Sequence, residues 1–319
     1  MADPVSGESL REDESCRLDH QMSPEFVSIG FCSNDHLCRV REIPVDGKTE
    51  MLEHLVQGGG PAGDAAVAAA RLGWRAAFVA TLGDDPDGRK MIEDFRSEGV
   101  CVDAIKVLRN QGSPIAYCWI TPDGARSVAW TKSGLPPMDP VDLPENLVKG
   151  ACILHLDGHQ TPAALAAAKI AKANGVRVSV DAGTRVPGIE ALMELADILV
   201  ASEAFARAWS GEDDLERAVA KLARFGAEVT GVTMGVDGSL CLHRGAFIRI
   251  PSVNAGPVVD TTGAGDSYHA SFAVRYAETG DVRASMEFAA ICAAMKCRKL
   301  GARAGLPTRA EVEAFISKE

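Results

Sequence analysis

The run Ala151-Cys152-Ile153-Leu154-His155-Leu156 is followed by the alanine-rich stretch 161–174 and then by Val176-Arg177-Val178-Ser179-Val180-Asp181. A short apolar run, a helical stretch and a second β-branched run read as one β-α-β unit, whose crossover requires parallel strands. The rhythm continues, with strand-like runs at 196–201 and 229–234 alternating with helical stretches at 189–195 and 203–224. Parallel strands are covered on both faces, so they read as continuous apolar runs. The expected fold class is α/β, a doubly wound (Rossmann-like) central parallel sheet flanked by helices.

Earlier in the chain, Phe26–Gly30 reads as a strand, 62–72 as an Ala-rich helix ending at Gly73, Ala76–Thr81 as a buried strand and 86–98 as an amphipathic helix. Residues 37–57 read as extended pieces broken at Pro44-Val45-Asp46-Gly47. Ile115–Ile120 and Ser127–Trp130 flank the hairpin signal Thr121-Pro122-Asp123-Gly124. These segments, about 36–57 and 110–131, are expected to leave the main sheet as a small β-sheet lid. A hairpin at 239–250 precedes helices near 264–278, 282–299 and 309–317. Residues 1–24 are polar, with six acids against two arginines in the first twenty, and read as a disordered extension ahead of a domain covering 25–319. Met22 is an alternative start.

Composition sets limits on function. Hydrophobic residues make up 46% and charged residues 24% of 319, the balance of a globular enzyme with a sizeable core. The net charge of −11 argues against a nucleic-acid binder. No apolar run approaches ~20 residues, and no basic segment followed by an apolar one opens the chain, so a cytoplasmic enzyme is expected. Nine cysteines form no CxxC pair and read as reduced, mostly buried thiols.

The chemistry concentrates in Asp260-Thr261-Thr262-Gly263-Ala264-Gly265-Asp266, which follows an extended segment and opens a helix. Glycines there let backbone N–H groups approach a ligand closely, and a helix N-terminus adds unpaired donors and a positive dipole end. The combination makes an anion hole for a phosphoryl group in transfer. Asp266 falls within the first turn, placed to take a proton from an attacking hydroxyl. A plain Gly-rich turn with an N-terminal helix Asp is the alternative on spacing alone.

This heptapeptide is similar to the C-terminal signature of the ribokinase-like (PfkB) carbohydrate kinases. The N-terminal signature is matched by Gly59-Gly60-Pro61-Ala62-Gly63-Asp64 and the Ala-rich run to Gly73, and the next segment by Gly83-Asp84-Asp85-Pro86-Asp87-Gly88. The resemblance spans about 26–317. Within the family, Lys296-Cys297, Gly301-Ala302-Arg303-Ala304-Gly305-Leu306-Pro307, Gly58–Ala62 and His269 look most like sulfofructose kinase and ketohexokinase-like members.

The resemblance implies ATP as donor, Mg2+ as companion and a sugar CH2OH as acceptor; it leaves open whether K+ assists. It implies Asp266 as base, with Gly263, Ala264 and Gly265 as anion hole. Asp35, Gly59, Gly60, Asp64, Lys48 and Trp130 are the implied sugar-side residues. Thr233, Gly235, Gly238, Thr262, Ala293 and Cys297 fall on the nucleotide side. The family's Asn-x-x-Glu that arranges Mg2+ reads Ser202 and Phe205 here, which leaves Glu203 as the metal candidate. Lys48 aligns with a sulfonate-binding lysine, but Trp130 and Gly158 stand where its Asn and Arg partners would be. A carboxylate at 64 and an apolar wall at 130 favour a neutral ketose or related acceptor. Sulfofructose kinase, nucleoside kinase and a non-catalytic sensor remain as alternatives. A homodimer through the lid is expected.

Two other patterns carry less. Gly58–Gly63 fits GxGxxG ahead of a helix, but a dinucleotide site gives 260–266 no role. Gly47-Lys48-Thr49 lacks the first glycine of a P-loop, since residue 42 is Glu. His155 and His159 lie in a strand-like run and its turn, so a buried or substrate-facing role is favoured over a metal pair.

Overall fold

The computed structural model describes residues 23–122 and 126–318. The expected extension therefore lies, up to residue 22, outside the described residues, as do Asp123 and Gly124 of the hairpin signal. The main sheet contains β1 (Phe26–Ile29), β4 (Ala76–Gly83), β5 (Ile105–Leu108), β8 (Ile153–Leu156), β9 (Arg177–Ala182), β10 (Ile198–Ser202), β11 (Val229–Thr233), β12 (Ser239–His243) and β13 (Ala246–Ile250). Its order is β13-β12-β11-β10-β9-β8-β1-β4-β5. From β5 to β11 the pairings are parallel; β12 and β13 add an antiparallel edge.

Alternation along the strands assigns residues to the two faces. In β4, Phe78, Ala80 and Leu82 join one core, and Ala77 and Val79 the other. The first core receives α1 (Pro61–Arg71), α2 (Pro86–Ser97), α8 (Ala264–Thr279), α9 (Val282–Lys296) and α10 (Arg309–Ile316). The second receives α3 (Glu145–Lys149), α4 (Thr161–Ala173), α5 (Ile189–Met193), α6 (Glu203–Ser210) and α7 (Leu215–Leu222). Alanines along α1 are buried and let α8 pack closely against it. The doubly wound sheet and the separate lid agree with the expectation.

The lid is a four-stranded sheet, order β3-β2-β6-β7, from β2 (Ser33–Val40), β3 (Met51–Gly59), β6 (Ile115–Ile120) and β7 (Arg126–Thr131). Register puts Gln57, Asp35, Ala116 and Trp130 side by side on one face.

Some local expectations change. The single helix expected at 203–224 is two, because Gly211 ends α6 in the left-handed region (φ 69°) and the Asp214 side chain caps α7 at Arg217 N. The edge strand β5 and the short α3 were not anticipated: Ile105–Leu108 alternates weakly, and five residues carry little helical period. Cys32, Cys38, Cys118, Cys152, Cys241, Cys292 and Cys297 are free, and burial pushes the thiols of Cys32, Cys118, Cys241 and Cys292 up to about 12.

Candidate active site

The loop 260–266 takes its shape from internal hydrogen bonds. Asp260 Oδ1 accepts from Thr262 N at 2.9 Å and Thr262 Oγ1 at 2.8 Å, and Oδ2 accepts from Gly301 N at 2.7 Å. Gly263 caps α8 at φ 77°, and a Cβ there would lie 2.8 Å from Ala302 Cβ. Only glycine combines that backbone with that contact. Ala264 N donates to Thr261 O at 3.1 Å, so the first-turn N–H groups of Gly265 and Asp266 are the ones without a helical partner. They lie at the positive end of a sixteen-residue helix.

Beside this helix end lies a group of buried acids. Asp64 on α1 is 1% exposed, and its Oδ1 accepts from Arg303 Nε at 2.7 Å. Burial, then the charges of Asp64, Asp181 and Asp157, push the Asp266 carboxyl well above the ordinary carboxylate range. Asp35 is 6% exposed; burial pushes it up to about 7 against the Ser33 hydroxyl bonded to it at 2.6 Å. Both Gly59 and Gly60 are sterically required: a Cβ on Gly59 would lie 2.0 Å from Asp35 Oδ2, and one on Gly60 (φ 91°) 2.6 Å from Cys32 Cα. Asp64 neither caps α1 nor presents a bare charge to a ligand, because the Arg303 guanidinium neutralises it.

Asp157, after β8, clasps these loops together. It accepts from Phe31 N at 2.7 Å, Ala62 N at 3.2 Å and His159 N at 2.9 Å. The site thus forms beyond the carboxyl ends of β1, β8 and β9, at the point where the chain's winding reverses about β1. Trp130 forms a ring cluster with Phe31 at 5.5 Å and His159 at 6.1 Å. His155 stacks on Phe26 in the core, and burial drives its pKa down to about 4, so it does not pair with His159 around a metal. On α8, His269 Nδ1 lies 2.9 Å from Asp181 Oδ2.

On the nucleotide side, Thr233 ends β11, Gly235 opens the turn at φ 57°, and Gly238 needs φ 85° because a Cβ would lie 2.0 Å from Ile250 O. Ala293 lies on the last turn of α9 and Cys297 caps its C-terminus. Two candidates stand elsewhere. Lys48 is exposed in the loop joining β2 and β3, beyond Val40, and Val40 is itself five residues or roughly 17 Å along the strand from Asp35. Glu203 Oε1 accepts from Arg207 Nε at 2.8 Å, while Ser202 caps α6 and Phe205 is buried. Among the described residues no three His, Cys, Asp or Glu side chains converge to hold a metal ion.

Three basic residues of the site were not singled out from the sequence. Arg303 spans from α1 to the Phe95 ring, 4.4 Å from its centroid. Arg126 reaches from the lid to Thr262 Oγ1 at 3.0 Å. Lys296 is fully buried beneath the loop. Lys296 and Arg303 fell within stretches that carry the family resemblance, and a lysine closing the otherwise apolar stretch Ile291–Met295 was a further signal.

A Gly-rich helix start with an acid in its first turn, facing further buried acids under a β-lid, defines a phosphotransferase site. Residues 23–309 match the model of the pfkB family of carbohydrate kinases. The chain belongs to this family, whose members here are ATP-dependent carbohydrate kinases, and is one itself. An ATP-dependent ribose-1-phosphate kinase of Halopiger xanaduensis is 29% identical over 92% of this chain and 98% of its own. Fructokinase-1 of Zea mays is 31% identical over 82% of this chain and 88% of its own. The structure of Arabidopsis thaliana ribokinase with ribose and ATP superposes with a TM-score of 0.81 at 28% identity, covering 92% and 99%. No helix among the described residues is long and apolar enough to cross a membrane.

Proposed function

We propose that the chain transfers the γ-phosphoryl group of ATP to a primary hydroxyl of a small neutral sugar, a ketose or related carbohydrate, with Asp266 as general base. The observation that carries this reading is the buried Asp266 carboxyl in the first turn of α8, within the field of Asp64 and next to N–H groups without helical partners. Asp266 takes the hydroxyl proton, the hydroxyl oxygen bonds to the γ-phosphorus, and ADP leaves with the electrons of the broken P–O bond. The Gly265 and Asp266 N–H groups receive the charge that develops on the phosphoryl oxygens, where preorganised donors act most strongly. The high affinity of Asp266 for a proton makes it a competent base once ionised. Asp35 and the Gly59–Gly60 backbone hold sugar hydroxyls, and the lid carrying Asp35 and Trp130 excludes water.

Thr233, Gly235, Gly238, Thr262, Ala293 and Cys297 form the nucleotide side of this reading. The protein side chains do not fit a dedicated Mg2+ cage, since Glu203 is held by Arg207. In this reading Mg2+ arrives on the ATP phosphates, as it commonly does. Neutral acceptors remain favoured over sulfofructose. The reason is the group of buried acids Asp35, Asp157, Asp181 and Asp266, together with the distance of Lys48 from them.

The rings of Phe31, Trp130 and His159 support a second reading, a nucleoside acceptor whose base lies against them. One experiment separates these readings: ATP consumption over ketoses, aldoses, phosphorylated pentoses, sulfofructose and nucleosides. Turnover only with anionic acceptors would refute the neutral-acceptor reading, and turnover with none would refute the kinase reading. We further propose a homodimer in which the lid's outer face, with His36 stacked on Tyr117 at 4.5 Å and on His54 at 5.4 Å, is covered by a second copy. Sedimentation as a strict monomer at micromolar concentration would contradict it.

A further inference from the structure

Lysine is almost never fully buried unless its ammonium has partners. Lys296, in the last turn of α9, is 0% exposed, and its Nζ donates to Asp260 O at 2.8 Å. The surrounding chain is closed around it. Cys297 O accepts from Val259 N at 2.8 Å and Asp260 N at 3.2 Å, which ties the head of the 260–266 loop to the end of α9. The return segment 301–305 presses against the same turn, because a Cβ on Gly305 would lie 2.0 Å from Lys296 O. Gly301 N holds Asp260 Oδ2, and Ala302 backs Gly263. Burial lowers the proton affinity of the ammonium, and the charges of Asp260, Asp64 and Asp266 act against that loss. The ammonium therefore lies against the head of the loop, where Asp260 offers its carbonyl.

A monovalent cation that assists transfer without touching the phosphates needs such a place, with backbone oxygens turned inward and negative charge nearby. Here the place is filled by a side chain, so the residues present do not fit an added K+. We infer that the Lys296 ammonium is the built-in cation of this kinase, fixing the anion-hole loop and offsetting the buried acids, and that turnover does not depend on K+. Lys296 acts as a positioning residue: it reaches the reaction through Asp260 and the loop. The inference rests on the kinase reading above.

The test compares the full-length wild type, Lys296→Ala and Lys296→Met in chlorides of K+, methylammonium, Na+ and N-methylglucamine at equal ionic strength. Wild-type kcat is expected to be the same in all four within about twofold. Lys296→Ala opens a cavity and is expected to lose about tenfold or more in kcat, below the ~10²–10³ of a direct oxyanion donor. K+ or methylammonium should restore it saturably, whereas large N-methylglucamine should not. Lys296→Met fills the cavity and should lose turnover without rescue. Melting temperature gives a readout free of turnover: K+ should raise it for Lys296→Ala over Na+, and leave the wild type unchanged. Activation of the wild type by K+ would overturn the inference, as would a fully active Lys296→Met or a folded Lys296→Ala that no cation restores. If Lys296→Ala does not fold in any salt, the wild-type cation series and Lys296→Met decide. Absence of turnover by the wild type with every acceptor would refute the kinase reading, while the melting comparison would still judge Lys296.

Discussion

Asp35→Asn is expected to make the protein more stable and less active, in a manner that depends on pH. Burial raises the Asp35 carboxyl from 3.8 to about 7, so its charged form is disfavoured in the folded chain. Below pH 3.8 the group is protonated in both folded and unfolded chains and costs nothing. As pH rises toward 7 the unfolded chain releases a proton that the folded chain keeps, and stability falls. Above about 7 the penalty is complete: roughly 3 units at 1.36 kcal/mol each, or about 4 kcal/mol. Asparagine retains the acceptor for the Ser33 hydroxyl, which bonds Oδ1, and removes the charge. With about 2.1 cal/mol/K of unfolding entropy per residue, 319 residues convert 4 kcal/mol to about 6 °C, an upper figure because the new amide must also find partners. Melting curves of wild type and variant from pH 4 to 8 measure it. The two should coincide near pH 4 and diverge by several degrees at pH 8, while KM for the acceptor rises in the variant. A pH-independent difference, or a less stable variant at pH 8, would refute the reasoning.

Asp266→Asn should keep the fold and nucleotide binding but lower turnover at least ~10²-fold; near-normal turnover removes Asp266 from the mechanism. In the wild type, kcat/KM should fall as pH drops through the raised Asp266 pKa, and a profile flat down to about pH 4 would contradict that shift. Arg303→Met leaves Asp64 buried without its partner and should cost about 3–5 kcal/mol. Adding Asp64→Asn should recover much of that loss, and a double variant as unstable as the sum of the two singles would deny the coupling. Gly263→Ala forces a Cβ to 2.8 Å from Ala302 at φ 77°, at a strain of about 1–3 kcal/mol, and should depress kcat even though Asp266 is intact; unchanged kcat would show that the loop tolerates another shape.

The alternation of apolar runs and helical stretches after residue 150 determined the wound sheet, because a strand covered on both faces must be apolar throughout and its crossover must be helical. Asp260–Asp266 likewise indicated a helix N-terminus with an acid in its first turn, since glycine spacing and backbone geometry are local properties. The extended segments and turn signals at 36–57 and 110–131 indicated the lid, and the family likeness added Asp35. The partners of the acids were not legible. Arg303 lies 239 positions from Asp64, and Lys296 lies 36 from Asp260, so no local pattern joins them. Asp64 alone reads as a bare negative charge; only the approach of the 301–305 segment to α1 gives it a guanidinium. Lys48 was a ligand candidate through its alignment with a sulfonate-binding lysine, yet the length of β2 carries it away from Asp35. Glu203 stood next to a metal position until the helical spacing to Arg207 was seen to give it a cation. Short-range geometry is encoded by neighbours along the chain. The protonation and charge of a buried group depend on whatever the fold brings from afar, because desolvation and Coulomb energy depend on distance through space.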